Sequence, residues 1–243
     1  MPDIAMRLDW LAGAVQPHFD DDRIAVWCDA RIDNRPELAA ELDSRLAGAD
    51  TSQLIAAAYR HWGRDCAARL IGDFAFVVFD RAQAQVYAAR DPLHMRSLHY
   101  ARTPGGMAFA SSAAALAGLL GEKPAVDRTS LAAWLAGWPD PDRGLFENLP
   151  MLPAGHWLAA DADGLRIEKF WDLDSGRRIR YRRVEEYRDH LAALLARCVG
   201  DRLRSHAPLI AAQLSGGMDS TSVCALAAEA LHAQGRRLAT LSH

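Results

Sequence analysis

The sequence has few cysteines, and none of their spacings suggests a structural role. The four (Cys28, Cys66, Cys198 and Cys224) are scattered through 243 residues without a CxxC pair. This argues against a zinc site or a disulfide framework and fits a reducing cytoplasm. The chain also lacks an excess of basic charge, since its formal net charge is −3. Electrostatics therefore give no reason to expect general binding to nucleic acid or to an anionic membrane.

Long apolar runs are absent as well. No stretch reaches the roughly 18 residues that a membrane span needs, and the start, MPDIAMRLDW, has no basic region followed by an apolar one. The sequence thus predicts neither a secretory signal nor a membrane protein. It predicts a cytoplasmic location. Half of the residues are hydrophobic and 24% are charged, which is typical of a core-forming globular chain of one large or two ordinary domains.

The first 174 residues show a mixture of strand and helix signals. Strand character is clear in RIAVWCDARID, and two hairpins are predicted in FAFVVFDRAQAQVYAARD and SLHYARTPGGMAFASS, with a further pair of strands in GHWLAADADGLRIEKF. A helix is predicted in NRPELAAELDSRLAG, with Asn34 as its cap, Pro36 in its first turn and Leu38, Leu42 and Leu46 on one face. A second helix opens at Asp50 or Thr51 and closes at Gly63. DRTSLAAWLAGW also reads as helical, and the tryptophans, including Trp134, Trp138, Trp157 and Trp171, are expected to pack in a core or interface.

The composition changes after Asp174. SGRRIRYRR contains five arginines without an apolar pattern, which favours a solvated linker over a binding patch. A long amphipathic helix, a buried parallel strand in PLIAAQL, another helix and a short strand follow. This order is the beginning of an incomplete α/β domain. We therefore predict a first domain over residues 1–176, a linker over 177–184 and a second domain over 185–243.

The loop SGGMDS joins that strand to the following helix. Its place at the carboxyl end of a parallel strand is where α/β sheets bind ligands. Adjacent glycines let the backbone approach a ligand closely, and the amides of the helix N-terminus favour phosphate. Asp219 would be repelled by phosphate unless a cation such as Mg²⁺ lies between them. The loop lacks the lysine of a Walker A motif, which weakens the case for a kinase or GTPase.

LSGGMDSTS resembles the pyrophosphate-binding loop of the enzymes that cleave ATP to AMP and pyrophosphate. In the first half, GDFAFVVFD, ARDPLHMRSLHYA, FASSAAAL, LPAGHWL and FWDL are similar to segments of the amidotransferase domain of asparagine synthetases and follow in the same order. The resemblance runs from residue 24 to 241. It implies an α+β, four-layer αββα sandwich of the N-terminal-nucleophile type, followed by the start of an α/β pyrophosphate-loop domain.

The same resemblance implies a site for ATP and Mg²⁺. Asp219 would hold Mg²⁺ through the pyrophosphate. Leu214 would lie near the nucleoside, and the serines and glycines of the loop would hold the pyrophosphate. The complete set comprises Leu214, Ser215, Gly216, Gly217, Asp219 and Ser220.

The chain departs from this family where glutamine would be hydrolysed. Pro2 stands where the nucleophilic cysteine would be, and a proline offers no thiolate. Asp29 and Ala30 replace the asparagine and glycine that form the oxyanion hole, whereas Asp50 matches the aspartate that binds the glutamine amino group. We therefore expect no glutamine hydrolysis. A start codon assigned too far downstream would account for Pro2 but not for Asp29 and Ala30.

These features predict an ATP-dependent carbon–nitrogen ligase that adenylates a carboxylate and then joins it to an amine. Relatives with a degenerate amidotransferase half include the lasso-peptide cyclases and the β-lactam synthetases. The alternatives are an asparagine synthase that uses ammonia and a truncated, non-catalytic remnant. The expected substrate is a small-molecule or peptide carboxylate. The expected protein partner is a second copy of this chain or a peptide-processing protein. Neither nucleic acid nor a membrane is expected as a partner.

Overall fold

A computed structural model describes residues 16–103, 106–121, 123–140, 143–205 and 207–242. The chain divides into two compact units, the first ending at Leu173 and the second beginning at Asp174. Among the described helices, none combines the length and the apolar character needed to cross a membrane.

The first unit is built around a six-stranded antiparallel sheet. Its strands are β1 (Phe19–Asp20), β2 (Ile24–Ile32), β3 (Gly72–Asp80), β4 (Gln85–Arg90), β7 (His156–Ala160) and β8 (Leu165–Lys169), which lie side by side in that order. The register of β2 and β3 places Ile24 opposite Asp80 and Ile32 opposite Gly72. The predicted hairpin of β3 and β4 is confirmed.

Both faces of this sheet are covered. On one face, helix α2 (Thr51–Trp62) contributes Leu54 and Ile55 to a core with Phe74, Phe76 and Tyr87, and helix α1 (Arg35–Leu42) lies beside it. The alternate residues of the same strands face the other way into a second core. Because side chains alternate along a strand, one run of apolar residues serves both cores.

The second core lies between the large sheet and a two-stranded sheet. This smaller sheet consists of β5 (His99–Thr103) and β6 (Gly106–Ala110), the second predicted hairpin. Met107 and Phe109 of β6 pack against the large sheet, whereas Ala108 and Ala110 face helix α3 (Ala113–Leu120). Helix, sheet, sheet and helix follow one another, which confirms the expected four-layer sandwich. Helix α4 (Arg128–Leu135) follows.

The second unit contains helix α5 (Val184–Arg202), strand β9 (Ile210–Gln213), helix α6 (Met218–His232) and strand β10 (Leu238–Leu241). The two strands are parallel, with Leu238 opposite Ile210, as the start of an α/β domain requires. Val199, Leu203, Ala227 and Leu231 form its core. Strand β9 was expected to be buried, but its residues alternate between half-buried and exposed. Only one face of this two-stranded sheet is covered by described residues.

Three further expectations are corrected. Asn34 does not cap α1 with its side chain; that side chain bonds instead to the Arg69 carbonyl and the Ile71 amide, each at 2.9 Å. Helix α1 ends at Leu42, so Leu46 lies in a separate 3₁₀ segment. Of the four tryptophans expected to pack, Trp157 is buried, but the other three (Trp134, Trp138 and Trp171) are exposed among the described residues.

The Asn34 side chain is expected to be a significant source of stability in the first unit. Replacing Asn34 with Ala removes two partly buried hydrogen bonds, to the Arg69 carbonyl and from the Ile71 amide, which should cost about 2 kcal/mol of unfolding free energy. All seven tryptophans precede residue 174, so tryptophan fluorescence during urea unfolding reports on the first unit. Gln83→Ala, in an exposed turn, serves as the control and should change the free energy by less than about 0.5 kcal/mol. Equal effects of the two substitutions would contradict this role.

Candidate functional site

The SGGMDS loop forms a tight connection from β9 into α6. Gly216 has a φ of 80°, a left-handed conformation that disfavours any residue with a Cβ. The first hydrogen bond within the helix runs from the Thr221 amide to the Gly217 carbonyl at 3.1 Å. The amides before Thr221 therefore have no acceptor in the preceding turn of the helix, and the helix dipole adds positive potential at the same place.

Two serines close the loop across its base. The hydroxyl oxygens of Ser215 and Ser220 are 3.0 Å apart. Ser220 also accepts from the Ser215 amide and donates to the Gly217 carbonyl, each at 3.2 Å. A Cβ at Gly217 would lie 3.7 Å from the Ser215 hydroxyl, which is ordinary contact, so the strained position of the loop is Gly216. Ser220 thus holds the loop in its conformation, and Ser215 is exposed to solvent.

The strand end beside the loop is held by the neighbouring strand. The Leu214 amide donates to the Leu241 carbonyl at 2.7 Å, so Leu214 lies at the carboxyl edge of both parallel strands. Leu214 is half-buried, and Gly216, Gly217 and Asp219 are exposed. The structure therefore brings all six predicted loop residues together at the end of the sheet where α/β folds bind ligands.

The donor set at this loop fits a magnesium–nucleotide complex. Over the described ranges, no group of three His, Cys, Asp or Glu side chains is placed to hold a metal ion. Asp219 would therefore bind Mg²⁺ only together with oxygens from a second molecule. A cation held by one carboxylate and phosphate oxygens is the usual arrangement for protein-bound Mg²⁺. The exposed loop amides and the Ser215 hydroxyl offer the donors that phosphate oxygens require.

Asp29 lies in the last part of β2, opposite Ala75, and forms an ion pair that the sequence did not predict. Arg96 Nε is 3.2 Å from Asp29 Oδ1, and both side chains are partly exposed. The Arg96 amide in turn donates to Asp91 at 2.9 Å, which orders this loop. The sequence carries no local signal for this pair, because Asp29 and Arg96 are far apart in the chain.

A second set of charges lies nearby on β2 and β3. Arg31 Nε is 3.0 Å from Asp33 Oδ1, and Arg31 Nη2 is 3.1 Å from Asp73 Oδ2. Burial raises the pKa of the Asp73 carboxyl, although Arg31 opposes that shift. We call Asp29, Arg31, Asp33, Asp73 and Arg96 the β2 charge cluster. The charges of this cluster pair with one another. They lie at the strand ends where the resemblance places glutamine hydrolysis.

Ala30 and Asp50, the other described residues of that predicted site, are not part of this cluster. Pro2 lies outside the described residues. Asp50 precedes the first turn of α2, where its amide donates to Gln53 Oε1 at 2.9 Å, and its side chain is exposed. Ala30 is half-buried in β2, opposite Phe74.

No thiol described in the first unit is suited to replace a nucleophilic cysteine. Burial, reinforced by the charge of Asp29, raises the pKa of Cys28 to about 12. Burial likewise raises the pKa of Cys66 to about 12. The reactive thiolate is the charged form, so both residues remain neutral thiols at physiological pH.

Comparison with known proteins identifies both units. The family model for the glutamine amidotransferase domain matches residues 6–171, and the model for asparagine synthase matches residues 190–242. The chain is 27% identical over 226 residues to asparagine synthetase [glutamine-hydrolyzing] 3 of Bacillus subtilis, covering 90% of this chain and 36% of that protein. It is 28% identical over 212 residues to amidase chyE of Penicillium rubens, covering 86% and 30%.

Among solved structures, glutamine phosphoribosylpyrophosphate amidotransferase from B. subtilis matches with a TM-score of 0.43 and 16% identity, covering 95% of this chain and 50% of that one. The chain spans about a third of the length of the curated relatives it matches, 36% and 30%.

The cysteine environments predict a clear order of alkylation. At pH about 8, iodoacetamide should modify exposed Cys198 at least a hundredfold faster than Cys28 or Cys66, whose thiolate fraction at that pH is on the order of one in ten thousand. Peptide mass spectrometry over time measures each rate, and the chain unfolded in urea, where all four should react alike, is the control. Fast modification of Cys28 in the folded chain would show that a usable nucleophile exists in β2.

Proposed function

Because the chain belongs to the asparagine synthetase family, we propose that it forms part of an ATP-dependent ligase that joins a carboxylate to an amine. ATP supplies the activation, through transfer of its adenylyl group to the carboxylate with release of pyrophosphate. The observation that carries the proposal is the SGGMDS loop, which exposes helix-terminal amides, the Ser215 hydroxyl and the Asp219 carboxylate at one strand end.

The roles of the loop residues follow from their positions. Gly216 gives the backbone its left-handed turn, and the amides at the start of α6 would bind the pyrophosphate oxygens. Ser215 would donate to the same oxygens, while Ser220 keeps the loop closed. Asp219 would hold Mg²⁺ against the pyrophosphate, and Leu214, at the edge of both strands, would contact the nucleoside.

We further propose that the first unit does not hydrolyse glutamine. An oxyanion hole needs hydrogen-bond donors, and losing one typically costs about 3 kcal/mol of transition-state stabilisation. Asp29 supplies an acceptor and a negative charge in place of the donor. Arg96 neutralises that charge, but its guanidinium is then engaged with the carboxylate. Neither Cys28 nor Cys66 is ionised enough to attack a substrate.

Without glutamine as the nitrogen source, the amine must come from elsewhere. We favour an amine of the substrate itself, as in macrolactam formation by a lasso-peptide cyclase, acting on a small-molecule or peptide carboxylate in the cytoplasm. The second candidate is asparagine synthesis from aspartate and free ammonia. It is supported by the similarity to the B. subtilis protein named an asparagine synthetase.

The role of Asp219 can be tested in the full-length protein. Asp219→Ala should lower Mg²⁺-dependent pyrophosphate release by about a hundredfold or more, because a carboxylate ligand to the cation is lost. Binding of a fluorescent ATP analogue, measured with and without Mg²⁺, should lose most of its dependence on Mg²⁺. Glu229→Gln, on the exposed surface of the same helix, is the matched control and should behave as the wild type. Unchanged Mg²⁺ dependence in Asp219→Ala would refute this assignment.

The same assay separates the two candidate functions. Pyrophosphate release with aspartate and ammonia, together with asparagine as product, would support asparagine synthesis. Release only with a peptide that carries a side-chain carboxylate and a free amine, together with loss of water from the peptide, would support cyclisation. If neither kind of substrate leads to pyrophosphate release, both candidate functions are wrong. Binding of Mg²⁺–ATP would then still test the role of the loop.

The absence of glutaminase activity is a separate prediction. The full-length protein should release no ammonia from glutamine above background and should form no adduct with 6-diazo-5-oxo-norleucine, a glutamine analogue that alkylates the nucleophilic cysteine. A relative that does hydrolyse glutamine is the positive control for both measurements. Turnover, or an adduct located by mass spectrometry, would overturn the prediction and identify the nucleophile directly.

A further inference from the structure

The arginine-rich segment that precedes α5 is held in place by its own contacts. We call residues 177–183 the tethered arginine segment; its sequence is RRIRYRR. The Tyr187 hydroxyl of α5 accepts from the Tyr181 amide at 2.9 Å and donates to the Ile179 carbonyl at 3.4 Å. One side chain of the helix therefore binds two backbone groups of the segment.

Tyr181 adds a second attachment. Its ring packs edge-on against Tyr187 with centroids 4.8 Å apart and against His190 at 5.7 Å, and its hydroxyl hydrogen-bonds to His190 Nδ1. Glu186 then accepts from the Arg182 and Arg183 amides, each at 3.0 Å. At the other end, the Arg177 amide donates to the Asp174 carbonyl at 3.2 Å. These contacts order a segment that a solvated linker would leave free.

The cations of this segment point to a charged partner. All five arginines are exposed. Arg183 lies 4.0 Å from Glu186, and Arg178 donates to the Ser175 carbonyl. Within the described ranges, the other three (Arg177, Arg180 and Arg182) have no carboxylate partner. Seven residues with five positive charges and no negative one thus form a fixed cationic surface in a chain whose net charge is −3.

We propose that the tethered arginine segment is a docking surface for a short acidic stretch of a partner polypeptide. Arginine pairs with carboxylates through two parallel hydrogen bonds, and a preordered surface loses less conformational freedom on binding. Acidic residues flank the patch (Asp174, Glu185, Glu186 and Asp189). These carboxylates limit the cationic patch to a few residues. They also repel a long polyanion such as nucleic acid, and they repel an anionic membrane surface. This docking surface is independent of the proposed ligase chemistry.

The test uses fluorescence anisotropy of a labelled octaglutamate peptide with the full-length protein at low ionic strength. Arg180→Gln/Arg182→Gln should weaken binding about fivefold or more, because two exposed ion pairs are lost. The matched control, Arg45→Gln/Arg166→Gln, removes the same charge from two other exposed arginines and should change binding by less than about twofold. Circular dichroism confirms that each variant is folded.

A third variant separates an ordered surface from a diffuse positive charge. Tyr187→Phe removes the hydroxyl that binds Tyr181 and Ile179 but keeps every charge and the aromatic ring. It should weaken octaglutamate binding about threefold, since the segment must then be ordered during binding. The proposal would be overturned by undetectable binding of octaglutamate, by equal losses in the two arginine pairs, or by an unchanged affinity in Tyr187→Phe. Tighter binding of a single-stranded oligonucleotide or of phosphatidylserine vesicles would overturn it in favour of those partners.

Discussion

The first unit depends on burying both faces of the central strands at once. In β3, Phe74, Phe76 and Val78 face the helices, while Ala75 and Val77 face the smaller sheet. A shift of one residue in register would exchange these two sets. The two cores differ, because β3 and β4 direct Phe74, Phe76 and Tyr87 toward the helices but Ala75, Val77 and Ala88 toward β6. This requirement fixes β2 against β3 and so fixes where Asp29 and Ala30 lie, whatever chemistry their side chains perform.

That constraint explains how the scaffold can persist while its chemistry changes. Asp29 lies near the end of β2, partly exposed, and neither it nor Arg96 belongs to a core cluster. An ion pair between partly exposed groups contributes little to folding, roughly 0 to 1 kcal/mol. The sandwich therefore neither requires nor forbids an aspartate at this position. Catalysis is more sensitive, because a donor replaced by an acceptor reverses the sign of its interaction with a developing oxyanion.

Sequence patterns predicted the elements whose signals are local. Alternation and turn residues identified the hairpin of β3 with β4 and that of β5 with β6, and Gly63 marked the end of α2. Features that depend on distant residues were missed. The Asn34 side chain bonds to Arg69 and Ile71, some 35 residues away, rather than to its own helix. The pairing of Asp29 with Arg96 likewise required tertiary structure. The six predicted loop residues lie together because they are nearly contiguous in the chain, whereas Asp29 and Asp50 are far apart in sequence.

The two candidate sites also differ in whether backbone or side-chain atoms carry their chemistry. The SGGMDS loop offers mainly backbone amides, whose direction is set by the φ of 80° at Gly216 and by the start of α6. Most side-chain replacements around such a loop leave those donors in place. The amidotransferase site relies on side chains, a thiolate and an amide donor, so each can be lost in a single substitution. Under the proposed function, the loop would keep its donors for pyrophosphate although the first unit does not hydrolyse glutamine, provided that an amine reaches the acyl-adenylate by another route.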